Sequence, residues 1–289
     1  MHFVDAKALL TRQNGMNLYR GCAHGCVYCD SRSKCYQFTH AFEDIEVKRN
    51  APALLEDILK KRRRRIVIST GSMSDPYQPC EKELRLTRQC LELLERYGFG
   101  ASVITKSDLV LRDLELFERI HQKAKGVLQM TLTVADDGLS RVLEPNVCTT
   151  TRRYEVLKAF QRAGVPTVVW MTPILPFLTD TEENVRRILD YCFDAGVKGI
   201  VCFGMGLTLR DGNREYYYEA LDRHFPGLSD EYRRRYGNAY EAASPNTAAL
   251  LRLFHDACEK HGVLHDPDEC FRFIAELPEQ NDQLSLFDG

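Results

Sequence analysis

The sequence predicts an α/β fold built on a parallel sheet. Three observations carry this expectation. Apolar β-branched runs alternate with amphipathic helical stretches, the alternation repeats through six strand–helix units, and glycines punctuate the ends of several helical stretches. An open sheet and a barrel satisfy the pattern equally.

The elements follow in chain order. A short strand over 17–20 leads into a cysteine-bearing loop. A helix over 52–61 follows, with Pro52 suited to its first turn. Residues 65–70 (RIVIST) read as a buried strand ended by Gly71, and 84–97 has helical leucine spacing stopped by Gly98. Strands over 101–106, 127–134, 167–174 and 199–207 then alternate with helices over 113–123, 151–163 and 182–195, the last two closed by Gly164 and Gly196. Beyond Leu209 helices dominate to about Leu277. The expected organisation is therefore a sheet domain over 1–210, a helical C-terminal cap over 211–277 and a flexible tail over 278–289.

Bulk properties narrow the function classes. The chain has 289 residues, 44% of them hydrophobic, enough for one sizeable core. A formal net charge of -2 gives no global signal for nucleic-acid binding. No apolar run approaches the roughly 20 residues that span a bilayer. Residues 1–15 lack the features of a secretory leader. A cytoplasmic protein without membrane association is expected, and its 11 cysteines read as metal ligands, redox groups or small apolar residues rather than disulfides.

The main chemical signal is Gly21-Cys22-Ala23-His24-Gly25-Cys26-Val27-Tyr28-Cys29. Three thiolates on one tight loop suit an iron–sulfur cluster, and three ligands on a four-iron cubane leave one iron open. Gly21 and Gly25 let the backbone fold closely around it. Zinc is the rival; it wants a fourth protein ligand, which His24 or Cys35 could supply.

This spacing, with an aromatic before the last cysteine, resembles the radical S-adenosylmethionine superfamily, and more closely its spore photoproduct lyase-like branch. The segments NLYRGCAHGCVYCDSR, GSMSDPYQPCE, ITKSDLVLRDL, the LEP of Leu143–Pro145, the PILP of Pro173–Pro176 and YGNAYEAASPN carry the resemblance, across about residues 15–250. It implies a partial (β/α)6 TIM-type barrel with the helical extension behind it. It also implies a [4Fe–4S] cluster on Cys22, Cys26 and Cys29, whose open iron chelates S-adenosyl-L-methionine. Reductive cleavage then yields a 5′-deoxyadenosyl radical that takes hydrogen from a substrate, with flavodoxin or ferredoxin as electron donor.

By the same resemblance, Ser72 and Ser74 at the end of strand two face the methionyl group, and Lys106 after strand three faces its carboxylate. Thr131 and Thr133 on strand four contact ribose or methionine. Tyr28 stacks near adenine or meets it through its backbone, and Arg153 is a further cofactor contact. Tyr28 and Cys80 are the candidate catalytic residues. The branch's lyases place a hydrogen-donating cysteine where this sequence has Ser72; a hydroxyl donates a hydrogen atom poorly, so Cys80, further along the segment, is the substitute.

Substrate hints are local. Arg233, Arg234 and Arg235 lie between Tyr232 and Tyr236, with Tyr216–Tyr218 nearby, a mixture suited to phosphates and bases. Gln283, Leu284, Ser285, Leu286 and Phe287 resemble the peptide by which bacterial replication and repair proteins dock on the DNA sliding clamp. The expected function is a radical enzyme acting on a modified or damaged DNA base, lyase- or repair-like, with the base flipped out to meet the radical. A peptide- or protein-modifying radical enzyme is one alternative. A non-catalytic iron–sulfur or zinc module is another.

Overall fold

The computed structural model describes residues 1–278. Its centre is a six-stranded, all-parallel sheet in sequential order. The strands are β1 (Gly15–Met16), β2 (Val67–Thr70), β3 (Gly100–Thr105), β4 (Gly126–Thr131), β5 (Thr167–Trp170) and β6 (Gly199–Val201). Helices α1 (Ala51–Lys61), α2 (Leu86–Tyr97), α3 (Leu114–Lys123), α4 (Thr150–Arg162) and α5 (Glu182–Asp194) occupy the connections. Sequential order with a helix in every crossover makes this a partial barrel of the TIM type, with helices outside.

Period-two alternation sorts each strand between lumen and helix layer. On and after β4, Leu128, Met130 and Leu132 pack with the helices in the main core, while Val127 joins a separate cluster with Val168 and Val201. Above it, Trp170 Nε1 donates to Gln129 Oε1 (2.7 Å), and Gln129 Nε2 donates to Ser102 Oγ (2.7 Å). The lumen is thus apolar at one end and polar higher up. Each helix turns one stripe inward; α1 buries Ala51, Leu55 and Leu59. Gly98 at φ +68° ends α2 in a conformation that favours glycine.

Three expectations need correction. The strand expected over 17–20 divides. Gly15–Met16 joins the barrel, whereas Tyr19–Arg20 pairs antiparallel with Glu46–Lys48, which also pairs parallel with His2–Val4 in a separate three-stranded sheet. The helix expected over 84–97 breaks at Arg85 (φ +50°), leaving a short turn, Glu81–Leu84, before α2. Strands also do not cease after Leu209, because Gly206–Thr208 pairs with Glu241–Ala243.

The segment expected as one cap has two destinations. Helices Asn213–His224 and Leu228–Tyr236 pack with Cys26, Val27 and Tyr28 in an apolar cluster at the barrel mouth. Helices Thr247–His261 and Pro267–Ala275 return to the barrel, where Cys270 and Ile274 join Val127, Val168 and Val201. Ile200 N–H donates to the Leu264 carbonyl (2.8 Å), and Lys125 Nζ donates to the Glu276 carbonyl (2.8 Å). Both contacts lie at strand N-termini, so the last helix closes the barrel floor away from the cysteines.

Candidate active site

The cysteine loop leaves the Tyr19–Arg20 strand through Gly21, at φ +86°. A Cβ there would stand 2.4 Å from the Phe42 carbonyl, so only glycine fits. The loop is tied to the barrel mouth by its own polar groups. Cys22 N–H donates to Phe42 O (3.1 Å), Ala23 N–H to Gln78 Oε1 (3.1 Å) and Val27 N–H to Leu143 O (2.9 Å). Asn146 donates from Nδ2 to Ala23 O (2.9 Å) and from its backbone to His24 O (3.1 Å).

Two buried ion pairs support this loop. His24 Nδ1 lies 3.4 Å from Asp75 Oδ2, with both side chains nearly enclosed. Burial alone would depress the His24 pKa, but Asp75 and Cys22 raise it to about 10. Burial alone would raise the Asp75 pKa, but His24 and the hydrogen bonds from Lys106 N–H (2.8 Å) and Thr105 Oγ1 (2.7 Å) bring it to about 2. For Cys22, burial pushes upward, yet the hydrogen bond and charge of His24 turn the net shift downward, toward thiolate. Cys26 and Cys29 are pushed upward, chiefly by burial.

The second pair is Glu144 with Arg153, 2.5 Å apart and fully enclosed. Tyr28 donates its hydroxyl to the other Glu144 oxygen. Arg153 also donates to the carbonyls of Cys148 (3.0 and 2.8 Å) and Thr131 (3.1 Å). These contacts correct two sequence expectations. Arg153 is a structural brace, because its guanidinium is occupied by protein acceptors. Tyr28 has its hydroxyl tied to Glu144, so only its ring and backbone are left to face a cofactor, and it is no free proton or hydrogen-atom donor.

The other expected residues fall into distinct places. Ser74 is buried and donates to Gly21 O (2.5 Å) while accepting from Gln78 Nε2 (3.2 Å), so it braces the cysteine loop and does not offer a free donor. Ser72 is exposed at the end of β2. The Lys106 ammonium has no carboxylate within 4.0 Å among the described residues and stands 5.8 Å from the Tyr28 ring. Burial lowers its pKa, but Cys26 and Glu144 raise it further, so it remains a cation beside the cysteines. Thr131 and Thr133 are buried, and Thr133 Oγ1 has no hydrogen-bond partner among the described residues.

Cys80 begins the Glu81–Leu84 turn, where its thiol is half-buried against the main core and its pKa is pushed up to about 11, first by burial and then by Glu81. It does not line the cleft of about 570 Å³ that opens beside His24; Cys148 does, with Lys82, Ser107, Arg112 and Asn146. Cys148 donates its thiol to the Lys106 carbonyl (3.1 Å).

In the arginine–tyrosine segment, two of the three arginines have acids nearby. Arg233 lies 3.0 Å from Asp230, Arg234 pairs with Glu231, and the Arg235 guanidinium faces the Phe177 ring at 6.0 Å. Tyr217 and Tyr232 are fully buried and share a hydroxyl contact of 3.0 Å. The segment is a packed helix in which Arg233 and Arg234 have acids one turn away, while Arg235 has no carboxylate within 4.0 Å among the described residues. Gln283, Leu284, Ser285, Leu286 and Phe287 lie outside the described residues.

The donor set fits a cubane better than a single zinc ion. Among the described residues, the three thiol sulfurs do not all fall within 4.8 Å of one another. A tetrahedral zinc with bonds of about 2.3 Å needs sulfurs only about 3.8 Å apart. The unpaired Lys106 cation and the orphaned Thr133 hydroxyl fit a carboxylate- and hydroxyl-bearing ligand over the loop. Sequence reasoning missed His24 with Asp75, Glu144 as an anchor, and the bracing amides of Gln78 and Asn146. Glu144 had a signal, since it lies in the quoted LEP segment, but its partner Tyr28 is remote in sequence.

This chain resembles known proteins in sequence and in fold. The profile of the "Radical SAM superfamily" matches residues 16–192. Uncharacterized protein Rv2578c of Mycobacterium tuberculosis is 32% identical over 244 residues, covering 81% of this chain and 70% of that protein. Uncharacterized protein MJ0683 of Methanocaldococcus jannaschii is 32% identical over 169 residues, covering 58% of this chain and 62% of its own. Among solved structures, a spore photoproduct lyase variant superposes with a TM-score of 0.62 at 15% identity, over 92% of this chain and 78% of that one. Another, with bound AdoMet and dinucleoside spore photoproduct, gives 0.57 at 13% identity, over 86% and 74%. At these identities the structural likeness speaks for the fold.

Proposed function

We propose, from the premise that this chain belongs to the Radical SAM superfamily, that it performs lyase- or repair-like radical chemistry on a nucleotide of DNA. The superfamily uses a [4Fe–4S] cluster and S-adenosylmethionine, and its enzymes need a reductant such as flavodoxin or ferredoxin. When bound, this pair supplies a hydrogen-abstracting radical.

The chain's own residues have the following roles in this reading. Cys22, Cys26 and Cys29 hold the cluster. Lys106 presents its ammonium to the cofactor carboxylate, and Thr133 offers its unsatisfied hydroxyl. The His24–Asp75 and Glu144–Arg153 pairs keep the loop in one position, and the apolar cluster of Val27, Leu143, Leu175 and Tyr218 excludes water from the barrel mouth.

One observation carries the substrate class. The cleft beside His24 has the size of a small-molecule site, and its rim holds Lys82, whose exposed ammonium has no carboxylate within 4.0 Å among the described residues. A flipped nucleotide brings a flat base for the cleft and a phosphate for that cation. This moves the expected phosphate contact from Arg233–Arg235 to Lys82. The fold shared with spore photoproduct lyase supports the same reading. Cys148, which lines the cleft, joins Cys80 as a candidate hydrogen-atom donor. The peptide at Gln283–Phe287 would bring the enzyme to DNA through the sliding clamp; its deletion should abolish clamp binding and leave cofactor cleavage intact.

The decisive experiment incubates anaerobically reduced enzyme with oligodeoxynucleotides deuterated in base and sugar. Label appearing in 5′-deoxyadenosine supports the reading. Turnover that takes no label from single-stranded, duplex or lesion-bearing DNA, but takes it from a deuterated peptide, overturns the substrate class while leaving the chemistry in place.

A further inference from the structure

A second group of ligating side chains lies outside the cysteine site, on the three-stranded sheet. The ligand atoms of His2, His40 and Glu46 all lie within 4.8 Å of one another. The sheet sets this up, because His2 and Glu46 are register partners on adjacent parallel strands. His40 is carried in by the loop that precedes Glu46.

The ring nitrogens are already sorted. His2 Nδ1 lies 3.0 Å from Asp44 Oδ2, and His40 Nδ1 lies 2.9 Å from the Ala41 carbonyl. A carboxylate and a carbonyl only accept, so each Nδ1 carries a hydrogen, which leaves Nε2 as the ring atom able to bind a metal. This is the arrangement that outer-shell acceptors impose on metal-binding histidines. His40 Nε2 is buried with no hydrogen-bond partner among the described residues; its nearest carboxylate oxygen, on Glu46, stands 3.9 Å away, too far for a hydrogen bond. The Glu46 carboxylate in turn accepts no hydrogen bond among the described residues. The Phe38 ring stands edge-on to His40 at 5.5 Å and the His2 ring edge-on at 4.9 Å, which limits water access to the nitrogen.

We propose that His2, His40 and Glu46 bind one zinc ion, with water in the fourth position. Two imidazole nitrogens and one carboxylate suit this borderline ion, and a 3.9 Å separation needs only small side-chain rotations to reach the roughly 3.3 Å edge of a tetrahedron with 2.0 Å bonds. The ion would lash residues 40–46 to the edge strand. That segment includes Phe42, whose carbonyl receives the Cys22 N–H at 3.1 Å. The zinc therefore sits behind the cluster loop, tied to it through Phe42.

The test adds Zn²⁺ to the tag-free full chain carrying its iron–sulfur cluster, under anaerobic conditions, against a competing fluorescent chelator. One zinc per chain is expected, with an X-ray absorption shell of nitrogen and oxygen only at about 2.0 Å and unchanged iron content. His40→Ala and Glu46→Gln should weaken zinc binding by about 100-fold or more, and Asp44→Asn by about 10- to 100-fold through the orientation of His2. Should His40→Ala fold poorly, His2→Gln, on a half-exposed side chain, gives the same reading. Sulfur at about 2.3 Å in the shell, equal zinc affinity in wild type and His2→Gln, or no zinc uptake would each overturn the site.

Discussion

The cysteine loop and the helices over Asn213–Tyr236 are both rich in charged and aromatic side chains, yet they use them in opposite ways. Around the loop, charges are buried and answered by residues far away in sequence, as with His24 and Asp75. In the helices, arginines are exposed and answered three residues back, as Arg233 is by Asp230. A buried charge must be compensated by structure, so its partners report on what the fold holds in place. An exposed charge with an acid one turn away reports little.

Breaking the loop side should give the largest effects. Cys26→Ala removes one of the three proposed cluster ligands; iron content and the absorption band near 400 nm should fall to near background, with cofactor cleavage lost entirely. Glu144→Gln leaves Arg153 buried without its counter-ion. It should destabilise the protein by roughly 3–5 kcal/mol in urea unfolding, with part of the loss recovered when Arg153→Met is added. A Glu144→Gln variant as stable as wild type would mean the pair does not brace the loop.

Lys106→Met tests the unpaired cation, and its effect should fall on ligand affinity instead of folding. S-adenosylmethionine binding measured by equilibrium dialysis should weaken by about tenfold or more, equivalent to ~1.4 kcal/mol or more, at unchanged thermal midpoint. A lowered midpoint with unchanged affinity would assign Lys106 to the scaffold. The helix side supplies the smallest effect. Arg234→Ala should change stability by less than about 1 kcal/mol. Neutralising Arg233, Arg234 and Arg235 together should reduce DNA affinity less than Lys82→Ala does, as read from the salt dependence of binding; the reverse order would restore the helix as the nucleic-acid face.

Much of the barrel was legible from the sequence. Strands β2 to β5 and helices α1 to α5 fall within a few residues of their expected positions, because hydrophobic periodicity and glycine stops act over a single turn or strand; the strand expected over 199–207 instead ends at Val201, and Gly206–Thr208 pairs in a separate sheet. The misplaced first strand shows the limit. Tyr19–Arg20 is strand-like by composition, but its partner is Glu46–Lys48, and local sequence does not choose between two sheets. In the site, the cysteine spacing was visible because the three thiols sit within eight residues. The roles of Arg153 and Ser74 were not, since each depends on an acceptor supplied by another loop: Glu144 for one, Gly21 for the other.

By itself, the amino-acid sequence determined the alternation that makes a parallel α/β sheet and the triplet of thiols on one loop that is proposed to hold the cluster. Both are local properties of spacing and side-chain chemistry. Only the tertiary structure decided which charges are occupied, which cation stays free beside the thiols, and that His2, His40 and Glu46 meet. Those outcomes depend on burial and on contacts between segments tens of residues apart, where desolvation makes an unmet polar group costly and the fold selects its partner.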